Sequence, residues 1–200
     1  MPWRRRAGVE GPPVHLTQHL FLSYLLPWRA RLERRDRVIV ALAGLAPDVD
    51  APVLLLMGHD AFVRHHHEVT HHLAGAVLAA AAGLAFGRRR AAAAAFAAAA
   101  WCGHLLLDLA GAGERYPDGS FAYPLPLLWP FSTRGFDPFP FSWPLASWQN
   151  AAVMAAALVL MVRLAVVEGR TVLEVFSLRL DAAVVRAVRA RIGGVPPPAP

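Results

Sequence analysis

The chain reads as an all-α protein: an up-down bundle of five to six helices, partly membrane-embedded, with one long Pro- and aromatic-rich loop. Three observations predict this. Apolar residues recur at helical spacing, and no bounded run alternates as a strand would. The composition is 56% hydrophobic and only 17% charged. Long Ala, Leu and Val runs are separated by short Arg clusters or by Gly and Pro, which mark ends of helices. Two hundred residues suit one domain with a sizeable core. Residues 1–192 form that domain, and the Gly/Pro-rich tail 193–200 is expected to be disordered.

The elements follow in order. A first helix is expected over 14–34, bent or broken near Pro27, and a second over 36–46, stopping before Pro47. A loop or short helix covers 51–66. A third helix is expected over 68–87, ending at Gly87, and a fourth over 91–110, ending near Gly111 and Gly113. A fifth covers 148–168 and a last, amphipathic one 171–192. In the last, Arg179, Arg186 and Arg189 share a face that suits either solvent or a membrane surface. Tyr116–Trp148 holds five Phe and seven Pro and reads as a long loop: an aromatic belt, a lid or a pocket wall.

All twenty basic residues are Arg and the net charge is +6. Their short clusters between apolar runs fit an anionic membrane surface, and direct nucleic-acid binding is not expected. One cysteine, Cys102, excludes an intrachain disulfide and a Cys-rich metal site. Arg4–Arg6 lack a following apolar segment, so no cleavable signal peptide is expected. The third, fourth and fifth helices reach roughly 27–30 Å, about a bilayer core. If they span, the Arg ends face the cytoplasm and the opposite ends face outward.

Those opposite ends carry the chemistry. His15 and His19 open the first helix, Asp48 and Asp50 close the second, His65–His72 opens the third, and His104 with Asp108 lies late in the fourth. Alternating helix direction gathers these groups at one end of the bundle and the Arg clusters at the other. His, Asp and Glu are donors for zinc, manganese and magnesium. His104 and Asp108, at i and i+4, share a helix face, as do His67 and His71. The expected metal ligands are His19, Asp48, Asp50, His67, His71, His104 and Asp108. His15 stands in reserve for His19, and His65, His66 and His72 are expected to point elsewhere. The candidate general bases are Asp48, Asp50 and Glu68. His67-Glu68-Val69-Thr70-His71 also matches the HExxH pattern of zinc peptidases, in which the Glu is the base. His59-Asp60 is a lone dipeptide and reads as loop.

Five short motifs in this order resemble the YdjM-like family of LexA-binding, inner-membrane-associated metal-dependent hydrolases. They are His19; Pro47-Asp48-Val49-Asp50; His67 with Thr70-His71; His104 with Asp108; and Pro126-Leu127-Leu128-Trp129-Pro130-Phe131. The chain departs from the family pattern at Glu68, where Arg is usual, and at Ala51, where His is frequent. The resemblance implies a helical, metal-dependent hydrolase at the inner membrane, with a protein partner suggested by the LexA-binding description. The His-x-x-x-Asp motif on a helical scaffold is more distantly similar to zinc phospholipase C.

The expected function is a membrane-associated hydrolase holding one to three divalent ions, zinc or manganese. It would act on a small-molecule or lipid phosphoester through a metal-activated water. The alternatives are an HExxH peptidase and a non-catalytic membrane adaptor with a structural metal.

Overall fold

The computed structural model describes residues 15–58, 65–68, 70–115, 118–121 and 124–192. The N-terminal Arg run, His59-Asp60 and the tail 193–200 lie outside them. α-Helices and short 3-10 segments build the described chain, with only two isolated β-bridges, Arg115 with Phe121 and Leu125 with Phe136.

α1 runs His15–Leu25 and stops two residues before Pro27, earlier than expected. A 3-10 turn, Trp28–Ala30, follows, and Arg31 adopts a left-handed conformation that reverses the chain. α2 is Arg34–Leu45 and passes directly into a 3-10 turn, Ala46–Asp50, with Pro47 at its start. α3 is Ala51–Met57. α4 is Ala74–Phe86, and α5, the longest helix, is Arg90–Gly111. α6 is Trp148–Glu168; its Ser147 cap accepts from the Asn150 N–H, and Gly169 at φ +69° ends it. A 3-10 turn, Val172–Val175, leads to α7, Leu178–Ile192.

α5 packs on α4 and α2, α1 on α2, α6 on α1, and α7 on α6. Small residues set the closest approaches. A Cβ at Gly83 of α4 would lie 2.4 Å from the Ala94 nitrogen of α5, so only Gly lets these helices touch. The predicted polarity holds at the Arg end. Buried Asp36 of α2 accepts from the backbone N–H groups of Arg88 (2.6 Å) and Arg89 (3.2 Å), joining the α1–α2 turn to the α4–α5 turn. Glu174 adds a second tie, binding Arg37 in a two-bond pair (2.7 and 2.9 Å) and the Tyr24 hydroxyl (2.7 Å).

α7 corrects one expectation. Arg189 is part-buried, and its guanidinium donates to the carbonyls of Ala165 and Val166 near the end of α6. It thus satisfies helix-end acceptors rather than facing solvent or lipid.

Among the described residues, two helices are long and apolar enough to cross a membrane. They are α5, with mean hydropathy 1.5, and α6, with mean hydropathy 2.2. Half of the apolar window of α5 is buried in protein, but only 28% of that of α6. α4 is too short to span alone. It exposes Val77, Leu78, Leu84 and Phe86, while α6 exposes Leu158, Val159 and Val167. These exposed residues lie on the two helices' outer faces, where a membrane would meet them.

Candidate metal centre

α1, the 3-10 turn after α2, the segment ahead of α4, and α5 converge at the end away from the arginines. Gly44 allows the first of these contacts. A Cβ there would lie 1.7 Å from the Ser23 Oγ, so α1 and α2 meet only because Gly44 has none. One turn ahead of Ser23 on α1, His19 is buried and reaches Asp108 Oδ1 of α5 with its Nε2 at 3.1 Å. Its ring stacks on that of His104, with centroids 3.6 Å apart. His104 Nε2 lies 3.1 Å from Asp108 Oδ2, 3.5 Å from Asp48 Oδ1 and 3.3 Å from His71 Nε2. His71 Nε2 in turn lies 3.4 Å from Asp48 Oδ1 and 3.5 Å from Asp108 Oδ2.

The 3-10 backbone separates the two aspartates. Two residues along such a turn rotate a side chain by roughly 240°. Asp48 accordingly enters the cluster, while Asp50 meets His66 Nδ1 at 2.9 Å and the Thr70 hydroxyl at 3.5 Å. His66 bridges the pair, because its Nε2 is 3.1 Å from Asp48 Oδ1. The described residues of 65–73 are mostly turns and bends, where their His spacing predicts the start of a helix. Its histidines therefore fan out. His66 and His72 are buried and His65 is exposed; His65 and His72 point away from the donor groups as expected, and His66 does not. The His72 ring accepts from the Gly75 N–H at 3.1 Å, and its carbonyl accepts from the Trp101 indole at 2.9 Å. It anchors the start of α4.

Among the described residues, three groups of donors each bring one ligand atom per residue within 4.8 Å of one another: His66, His67 and His71; Asp48, His71 and His104; and His19, His104 and Asp108. His71 and His104 each belong to two groups, so the three form one continuous cluster. Six of the expected ligands, His19, Asp48, His67, His71, His104 and Asp108, fall in these groups. Asp50 does not; it holds His66 instead. His66 was missed because its place depends on the turn geometry of 65–73 and on Asp48 and Asp50 flanking its two nitrogens. His15 opens α1, but its side chain is outside the described set. Glu68 is 60% exposed and pairs with the exposed His65 at 2.7 Å rather than with a cluster residue.

The donor chemistry suits a divalent ion. The Gly44 carbonyl can only accept, so the 2.8 Å contact with His104 Nδ1 places a proton on that nitrogen. In the neutral ring, Nε2 then presents a lone pair toward His71 Nε2 and the carboxylates of Asp48 and Asp108, the arrangement in which histidine binds metal. Asp108 Oδ2 is buried and makes no hydrogen bond among the described residues. A cation between these groups would relieve both the facing lone pairs and the buried carboxylates.

Around the centre the protonation states divide. Burial pushes His67 well below its ordinary value, and His71 is also lowered, burial being the largest cause. For His66, burial acts downward too, but hydrogen bonds to Asp48 and Asp50 outweigh it and raise the ring to about 9. Burial acts upward on Asp48, yet the close rings of His104, His66 and His71 outweigh it and hold its carboxyl well below the usual carboxylate range.

Residues 124–147 cover this end. Leu125 is fully buried, the Leu127 carbonyl accepts from Leu73 N–H at 2.9 Å, and Trp129 lies against His72 with centroids 5.0 Å apart. Asn150 ties the segment to α5, donating to the Gly111 carbonyl at 3.0 Å and accepting from the Trp143 indole at 2.9 Å. Phe131 and Phe141 remain exposed beside these anchors.

A family model described as YdjM inner membrane protein matches residues 15–190. No curated protein and no solved structure matches the chain significantly.

Proposed function

The chain belongs to the YdjM inner membrane protein family, and from that membership together with the His/Asp cluster we propose a membrane-bound, metal-dependent phosphoester hydrolase. One observation carries the reading: three overlapping donor groups share His71 and His104, which suits adjacent ion positions rather than one isolated site. Divalent ions so placed supply Lewis-acid stabilisation of developing oxygen charge and lower the pKa of water, the usual means of phosphoester hydrolysis.

The chain's own residues take distinct roles in this reading. His19, Asp48, His66, His67, His71, His104 and Asp108 would hold the ions. The Gly44 carbonyl orients His104, and the Thr70 hydroxyl, 3.0 Å from His71 Nδ1, orients His71. Asp50 positions His66 and is the carboxylate at the rim, 21% exposed, from which a proton can reach solvent. We assign it the role of general base. The exposed aromatic residues of the covering segment favour a lipid-borne substrate.

We place the protein in the cytoplasmic membrane, with the Arg end on the cytoplasmic side and the metal centre on the other. The peptidase alternative requires Glu68 at the metal, and its exposed pairing with His65 offers no support for that.

The test is hydrolysis of a phosphodiester ester and of a phospholipid by detergent-solubilised protein loaded with zinc or manganese. Asp48→Asn is expected to remove activity, Asp50→Asn to reduce it by about 10²–10⁴-fold, as for a lost general base, and Glu68→Gln to leave it within twofold. Phosphodiesterase activity lost with Glu68→Gln but kept with Asp50→Asn would reverse the assignment of the base. Peptide hydrolysis without phosphodiester hydrolysis would overturn the reading.

A further inference from the structure

The opposite end of the bundle holds an open cleft of about 520 Å³, lined by Trp28, Arg29, Arg31, Arg163 and Glu168. Its charge is unbalanced. Both oxygens of Glu168 are engaged, Oε1 by the Trp28 indole at 2.6 Å and Oε2 by Arg170 at 3.0 and 2.5 Å. Of the other acids at this end, Asp36 and Glu174 are committed to the Arg88–Arg89 backbone and to Arg37 with Tyr24, and exposed Glu33 does not line the cleft. Among the described residues, no carboxylate forms an ion pair with Arg29, Arg31 or Arg163. Arg163 is held by its position over the Trp28 ring, 5.3 Å from the centroid.

The cleft is also placed at the edge of an apolar surface. Arg163 lies on α6, whose exposed Val159 and Val162 sit within about one turn of it. Guanidinium groups bind phosphate oxygens through paired N–H donors, and basic pockets beside membrane helices hold anionic lipid headgroups. We propose that this cleft binds the phosphate of an anionic phospholipid, with the acyl chains lying along the exposed face of α6. The phosphate chemistry alone would also fit a soluble phosphate ester; the adjoining apolar face selects the lipid. This site is separate from the metal centre. The span of α5 from Arg90 to Asp108 is roughly 27 Å at 1.5 Å per residue, so a headgroup bound here is not the substrate bound there.

The experiment uses the full chain, stripped of lipid in non-ionic detergent, with dihexanoyl phosphatidylglycerol, dihexanoyl phosphatidylcholine, glycerol 3-phosphate and inorganic phosphate as probes, read by calorimetry. The expected result is saturable binding of the phosphatidylglycerol, at least tenfold tighter than that of the other three probes. Arg29→Gln and Arg163→Gln each weaken it tenfold or more, with metal content unchanged. Arg163→Lys, which keeps the charge but loses the paired donors and the guanidinium stacking on Trp28, recovers only part of the binding. Arg88→Gln, an exposed arginine at the same end but outside the cleft, leaves it unaltered. Arg29 is exposed, so its variant tests the cleft without risk to the fold. Equal binding of glycerol 3-phosphate or inorganic phosphate would mean a soluble anion site and overturn the lipid claim. Equal loss with Arg88→Gln, or equal binding of phosphatidylcholine, would overturn the cleft itself.

Discussion

Gly44→Ala perturbs the metal centre without touching a ligand. The added Cβ would lie 2.4 Å from the Ser23 Cβ, whereas carbon atoms pack at about 3.5–4.0 Å. α1 and α2 must therefore part by roughly 1 Å. Overpacking of this kind costs about 1–3 kcal/mol of stability. The larger effect falls on the site. His19 rides on α1 and His104 is held by the Gly44 carbonyl, so the 3.1 Å contact of His19 with Asp108 and the 2.8 Å tie of His104 both open. Metal bonds tolerate about 0.2 Å, and losing a group that orients a ligand lowers affinity about 10–100-fold. Chelator competition should show that loss for zinc, and unfolding of the metal-free protein the smaller loss in stability. Ser23→Gly in the same chain removes the clash and should restore most of the zinc affinity. Wild-type affinity in Gly44→Ala, or no recovery in the double variant, would refute the close-approach argument.

Two further predictions concern other parts of the fold. Asp36→Ala removes two charge-assisted bonds from the joint of the α1–α2 and α4–α5 turns. Denaturant unfolding should register a loss of about 3–5 kcal/mol, and a change below about 1 kcal/mol would mean that the Arg-end turns do not depend on this carboxylate. Glu114 is raised by burial, partly offset by the Leu145 N–H, and its second oxygen is buried without a hydrogen bond among the described residues. A carboxyl raised on folding contributes stability that is complete below its unfolded value near 4.5 and lost as pH rises through the folded value. Glu114→Gln should therefore melt higher than wild type at pH 7, with the gap closing toward pH 4; a gap independent of pH contradicts the burial argument.

The helices whose ends rest on strong local signals were legible from the sequence. α6 follows its apolar run from the Ser147 cap to Gly169, and α5 runs from the Arg cluster to Gly111. Boundaries set by tertiary contacts were not. α4 starts at Ala74 instead of near 68 because the His72 ring and the Leu127 carbonyl take the N–H groups of Gly75 and Leu73. The candidate donors carried on regular helices, His19, His104 and Asp108, could be read from spacing and helix direction. His66 could not, since its two nitrogens meet Asp48 and Asp50 only after the 3-10 turn has swung those carboxylates apart. Glu68 shows the reverse failure: a five-residue motif named it, but the turn that carries it pairs it with His65 in the open.

Metal content of the purified protein tests the central claim most directly. Wild type, His104→Ala and Asp108→Ala would be loaded with zinc or manganese, dialysed and assayed by elemental analysis beside a check of folding. The account predicts at least one ion per wild-type chain. Asp108→Ala should carry less, and His104→Ala less still, because His104 serves two of the three donor groups. Negligible metal in all three folded proteins would contradict the account.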